Sequence, residues 1–230
     1  MLHSPDPDVA EIAALLGDPA RAAMMYALLD GGTLSATELA RRASVSASAA
    51  SMHLRKLVGG GLLAVERSGR HRYHRLASRD VAHALEALGA VAKPPAVVAL
   101  TQATTLDALR AARTCYDHLA GRLGVRITDS LVERHVIAGT GREYRLGRSA
   151  PRFLARLGIE IAEVRRQRRA FARQCSDWTE RRAHVAGALG SALLSRFVEN
   201  GWLEPMKTSR AVRVTVEGRR AFSAHFRVTV

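Results

Sequence analysis

The sequence predicts a mostly α-helical chain carrying small β-hairpins, an α+β fold in two domains. Three observations carry that reading. Helix caps and helical apolar spacing fill most of residues 1–92, and a strongly basic hairpin pattern follows two short, closely spaced helices there. A faint repeat, with His118 and His184 in matching places 66 positions apart, runs through the second half.

Residues 8–16 and 19–29 read as helices, the second with Asp18 as N-cap and Pro19 at its first position, and Gly31-Gly32 stops it. A short helix over 36–42 has Ser35 as N-cap and Glu38 three residues later as the other half of a capping box. Ser44-Val45 makes a turn. The next helix spans about 47–58, capped by Ser46 and ended by Gly59-Gly60-Gly61. On it Ala50, Leu54 and Leu57 recur at helical spacing and face inward. Residues 62–65 and 73–76 then read as strands joined around Ser68-Gly69. Ser78 caps a helix over 79–91 with Val81, Leu85 and Leu88 on one stripe, and Lys93-Pro94-Pro95 marks the domain boundary.

Small polar residues on the second of the paired helices let it approach a base edge closely, as a recognition helix in the DNA major groove must. Ser48, Ser51 and Met52 are the candidates for base contact, with His53, Arg55 and Lys56 mostly on phosphates and the cap residue Ser46 counted in the same DNA-binding set. The hairpin loop adds Arg67, Arg70, His71 and Arg72, a cationic tip suited to the phosphate backbone or the adjacent minor groove. Together with Leu15 to Arg21, Glu38-Leu39-Ala40, Ser51 to Leu57, Gly61-Leu62-Leu63 and Gly69 to Leu76, these residues make the first 92 positions resemble the ArsR/SmtB-type winged helix-turn-helix regulators. The resemblance implies a sequence-specific DNA-binding regulator, a repressor released by an effector. It further implies a homodimer on an inverted-repeat operator, the 79–91 helix pairing with its twin.

Composition agrees. The net charge of +14 fits a polyanionic partner, although an Arg- and Ala-rich chain with Lys only at 56, 93 and 207 also reflects base composition. No apolar run is long enough for a membrane span and no signal peptide precedes the start, so a soluble, cytoplasmic protein is expected. Two cysteines are too few for a disulfide scaffold.

The second domain, 97–230, reads as two related α/β units, about 106–158 and 175–230, each helix, turn, strand, loop, strand, helix, and each winged-helix-like. A basic helix over about 159–174 separates them. The helix around Ser191 and Ser195 is flanked by Ala and Leu and reads as buried, which makes this a sensing or packing domain rather than a second DNA reader.

A signal has two candidate entry points. The arsenic-type Cys pair of the family is absent from 37–42, and Asp80, His83 and Glu86, spaced three and three, depart from the family's zinc pattern; Asp80 is explained by the helix macrodipole. The other candidate is a shared pattern, Arg-x-Cys-x-Asp, at Cys115 and Asp117 (with His118) and at Cys175 and Asp177 (with His184 downstream). Placed on a helix, Cys115 and His118 share a face. Three readings stay open for these residues: packed core, a thiophilic-metal or redox sensor, or the wall of a small-molecule pocket. No cofactor is required for the fold, and the effector is unknown.

A P-loop, a Gly-rich dinucleotide turn, HExxH and GxSxG are all missing, so the chain reads as no enzyme; a thiol-dependent enzyme using Cys115 and His118 is the alternative in that class. A non-specific basic nucleic-acid-binding protein is the other alternative, opposed by few aromatics and no RNA-stacking motif.

Overall fold

The computed structural model describes residues 7, 9–93, 100–206 and 209–230, and these form two compact units, Met1–Ala82 and His83–Val230. The first unit opens with α1 (Val9–Leu16) and α2 (Pro19–Ala27). The Asp18 carboxylate accepts the Arg21 amide at 2.9 Å and so starts α2, while the amides of Leu28 and Leu29 fold back on Met25 and Tyr26 and end it two residues early. A two-residue strand β1 (Leu34–Ser35) leads into α3 (Ala36–Arg42). Its capping box is complete: Ser35 Oγ accepts the Glu38 amide at 3.3 Å, and Glu38 Oε2 accepts the Ser35 amide at 2.8 Å. Ser44 turns the chain with φ 54°, and α4 (Ala47–Gly59) begins under the Ser46 hydroxyl.

The wing is β2 (Leu63–Ser68) and β3 (His71–Leu76), turned at Gly69 with φ 58°, a left-handed conformation that glycine adopts at low cost. Both strands run longer than the sequence suggested, and β3 also pairs with β1, giving the antiparallel order β1-β3-β2. The buried core of this unit is Met24, Met25, Leu28, Leu29, Leu39, Leu54, Leu57, Leu63 and Leu76. It fixes the outward faces of α4 and the wing.

α5 (Arg79–Val91) follows, its start capped by Ser78. The division between units falls inside α5 rather than at 93–95, because Glu86 of α5 is buried against Arg113 and Arg210 of the second unit. Pro94 and Pro95, and Asp8 at the expected start of the first helix, lie outside the described residues.

After α6 (Leu100–Ala111), the second unit runs the same order twice. First come β4 (Arg113–Cys115), β5 (His118–Ala120), α7 (Gly121–Glu133), β6 (Ile137–Thr140), β7 (Glu143–Leu146) and α8 (Ala150–Arg156). A short α9 (Ile161–Arg166) intervenes. Then come β8 (Arg173–Ser176), β9 (Ala183–Ala186), α10 (Gly187–Glu199), β10 (Leu203–Pro205), β11 (Val212–Val214) and α11 (Val216–Ala221), which passes into a π-helical turn (Phe222–Phe226). Glycines stand at matching places in the two runs. Gly121 and Gly187 enter α7 and α10 at φ 79° and 80°, and a Cβ on Gly124 or Gly190 would lie 2.6 or 2.5 Å from the carbonyl oxygen of Leu119 or Val185.

The halves also exchange strand partners: Glu143 of β7 pairs with Arg173 of β8, and Arg113 of β4 bridges to Ala211 just before β11. One core spans both halves, with Leu123, Ile127, Leu131 and Phe153 packed in the same cluster as Leu189, Leu193, Phe197 and Phe222.

Two expectations are corrected here. Residues 159–174 are not one helix. α9 stops at Arg166, where the run of arginines offers no apolar stripe and the Arg169 guanidinium turns to Asp117 and the Gly187 carbonyl. Cys115 and His118 do not share a helix face. They are opposed partners on the β4–β5 hairpin, as Cys175 and His184 are on β8–β9.

Candidate functional site

α4 buries one face and bares the other. Ala50, His53, Leu54 and Leu57 are buried, while Ser46, Ser48, Ser51, Met52, Arg55 and Lys56 are exposed. The serine hydroxyls are held close to the backbone: Ser46 Oγ caps the helix and meets Ser48 Oγ at 3.0 Å, and Ser51 Oγ donates to the Ala47 carbonyl at 2.9 Å. The face therefore stays flat, with Met52 as its exposed apolar side chain.

His53 departs from expectation. It is 9% exposed, and its Nδ1 faces the Asp18 carboxylate at 3.8 Å, so it lies between α4 and the start of α2 rather than on the bared face. Its place three residues after Ala50 and four before Leu57 puts it on the buried stripe.

On the wing, Arg67, Arg70, His71 and Arg72 are all exposed. Arg67 and Arg72 are directly opposed across the ladder, a like-charge pairing that weakens an isolated hairpin. The stem below is braced by Arg75 on Glu66 at 2.5 Å, and His74 is buried, its pKa lowered chiefly by desolvation. A surface of this kind is suited to a phosphate backbone.

The second unit gathers Cys115, His118, Cys175 and His184, with all four ligand atoms within 4.8 Å of one another and all four residues buried. Sγ lies 3.8 Å from Sγ, and Nε2 of His118 lies 3.1 Å from Nε2 of His184. Behind each ring stands a carboxylate: Asp117 Oδ1 is 3.4 Å from Nδ1 of His118, and Asp177 Oδ2 is 3.8 Å from Nδ1 of His184. Each carboxylate has its own arginine, Arg169 for Asp117 and Arg113 for Asp177 at 3.0 Å. Asp177 also accepts the Gly121 amide at 2.6 Å and the Thr179 amide at 2.9 Å.

These partners shape the titrations. Burial alone would raise Asp117 and Asp177, but the hydrogen bonds and guanidinium charges outweigh it, and both fall to about 2. Burial likewise opposes charge on His118, yet the Asp117 hydrogen bond and the Cys175 sulfur raise its pKa. Of the two thiols, Cys175 is pushed down by the hydrogen bond from Cys115 and by the imidazoles of His118, His184 and His83, while that same hydrogen bond and burial push Cys115 up.

Of the α5 residues, Asp80 is exposed, Glu86 is taken by Arg210 and Arg113, and His83 stands 6.3 Å from the His118 ring, centre to centre. They do not converge on one point. Sequence reasoning missed the buried ion network of Glu86, Arg113, Arg210 and Asp177. Its one visible signal was the repeated Arg-x-Cys-x-Asp, which held Arg113 and Asp177 without showing that they meet.

Residues 16–66 match the model of a helix-turn-helix domain. Among the described residues no helix is long and apolar enough to cross a membrane. Two solved structures similar to the chain are HlyU from Vibrio cholerae N16961 and the homodimeric winged helix-turn-helix DNA-binding domain of Mb0332 from Mycobacterium bovis. HlyU is 29% identical over 35% of this chain and 86% of its own, with a TM-score of 0.33. Mb0332 is 26% identical over 39% of this chain and 89% of its own, also with a TM-score of 0.33. The uncharacterized HTH-type transcriptional regulator YdfF of Bacillus subtilis (strain 168) is 42% identical over 225 residues, which is 98% of this chain and 100% of YdfF. With an alignment that spans nearly the whole chain, the chain belongs to the HTH-type transcriptional regulators, DNA-binding proteins whose first domain is the winged helix-turn-helix that the ArsR/SmtB resemblance implies.

Proposed function

We propose that this regulator is a cytoplasmic repressor that binds an inverted-repeat operator as a homodimer and is released by an effector held in its second unit. The observation that carries the DNA-bound arrangement is the opposed Arg67–Arg72 pair beside exposed Arg70 and His71. A protein keeps like charges facing each other where an anion relieves them. In this reading Ser48, Ser51 and Met52 meet base edges in the major groove, Arg55 and Lys56 meet phosphates, and the wing lies over the neighbouring backbone. The dimer is supported by α5, where Leu88 is 49% and Val91 82% exposed, an apolar pair suited to a twin helix. The test is footprinting on the DNA upstream of the protein's own gene. The expected result is two protected half-sites about one helical turn apart, roughly 10 base pairs centre to centre. A single unpaired footprint, or protection without sequence preference, would overturn the arrangement.

A further inference from the structure

We propose that Cys115, His118, Cys175 and His184 bind one tetrahedral zinc-class divalent ion per chain, a centre that clamps the two halves of the second unit together.

The distances fit such an ion. Metal–sulfur bonds of about 2.3 Å and metal–nitrogen bonds of about 2.0–2.1 Å place tetrahedral S–S neighbours about 3.8 Å apart and N–N neighbours about 3.3 Å apart. The protein holds its sulfurs 3.8 Å apart and its Nε2 atoms 3.1 Å apart. The charge fits as well. Two thiolates and two neutral imidazoles around a divalent cation sum to zero, which a buried site tolerates where a lone thiolate pair is costly. Binding sends the thiol protons to solvent.

The surroundings are those of a ligand set. Asp117 hydrogen-bonds Nδ1 of His118 at 3.4 Å, the carboxylate–histidine arrangement that orients a metal ligand, and Asp177 stands on the Nδ1 side of His184, which leaves both Nε2 atoms to the cluster with the sulfurs. Nδ1 of His184 is fully buried and makes no hydrogen bond, as its 3.8 Å separation from Asp177 implies. Because Arg169 and Arg113 occupy the two carboxylates, the inner ligands are sulfur and nitrogen only, a soft set that selects zinc-like ions over magnesium or calcium. Four protein ligands fill a tetrahedron and leave no open position, the pattern of a structural or regulatory centre rather than a catalytic one. A Cys115–Cys175 disulfide would account for the sulfurs alone and would give the paired histidines and their carboxylates nothing to do.

Each half supplies one Cys and one His from opposed positions of its own hairpin, so the ion ties β4–β5 to β8–β9. His83 of α5 stands beside the centre, and α5 is the helix that continues from the wing-bearing unit.

The test uses the full chain, reduced and stripped with a chelator, then titrated with cobalt(II). The expected result is one equivalent per chain with intense tetrahedral ligand-field bands and sulfur-to-cobalt charge transfer, both abolished by one equivalent of zinc(II). Cys115→Ser/Cys175→Ser should lose the charge-transfer band. Zinc should also protect both wild-type thiols from alkylation, a readout that needs no variant to fold. No cobalt spectrum, a six-coordinate spectrum, or unprotected thiols at saturating zinc would overturn the proposal. So would a disulfide that, once reduced, takes up no metal. DNA retention by the same preparation reads the operator proposal separately, so a protein that holds DNA and no cobalt refutes this centre alone.

Discussion

Arg113 is the side chain whose loss the second unit should feel most. It is fully buried on β4, with Nη2 at 3.0 Å from Asp177 Oδ2 and 3.9 Å from Glu86 Oε2, and its guanidinium lies 4.8 Å from the centre of the Trp178 ring. Arg113→Ala leaves Asp177 as a buried carboxylate without its cation, while Glu86 keeps Arg210. Breaking one side of a buried pair costs about 3–5 kcal/mol, a large share of the roughly 5–15 kcal/mol that holds a domain folded. The acid limb should move too. Asp177 sits at about 2 in the folded protein against 3.8 ordinarily, so it adds about 2 kcal/mol above the unfolded value, lost as pH falls through about 2. Without Arg113 the folded pKa rises, and that contribution shrinks at neutral pH. Both tryptophans, Trp178 and Trp202, belong to the second unit, so urea unfolding followed by tryptophan fluorescence reads this unit directly. A loss below about 1 kcal/mol, the level of a surface ion pair, would refute the reasoning.

Three further predictions follow the same logic. Arg70→Ala on the wing should weaken binding to all DNA alike and lower the slope of log affinity against log salt by about one unit, which anisotropy titrations across salt would show. Substituting Ser51 should instead change base preference, by about 1–3 kcal/mol at the affected base pair, measured on a panel of single-base operator variants. Gly187→Ala puts a Cβ 2.7 Å from the Ala170 carbonyl oxygen at φ 80°, so its melting temperature should fall clearly, whereas Gly59→Ala, with open space around it, should melt like the parent.

The first domain was legible because its signals are local. Asp18, Ser35 and Ser46 cap the helices they precede, and the boundaries of α3 and α5 match the sequence reading residue for residue. β1 escaped because two residues carry no alternation, and its pairing with β3 is settled by tertiary contact. His53 was readable and misread, since it lies on the same stripe as Ala50 and Leu57. In the second half, the echoed segments around His118 and His184 marked two related stretches without placing their elements. The hairpins β4–β5 and β8–β9 have only three or four residues per strand, too short to separate from helix by periodicity. Whether Cys115 and Cys175 meet depends on contacts sixty residues apart, which no spacing rule supplies.

The central claim is that α4 and the wing form a sequence-reading DNA surface. Its most direct measurement is a competition titration at physiological salt, in which the full-length protein is offered its own upstream DNA against a scrambled duplex of equal length and composition. The account predicts a preference of about a thousandfold or more for the upstream DNA, lost when Ser48, Ser51 and Met52 are replaced together, with the residual non-specific binding retained. Equal affinity for the two duplexes would contradict it.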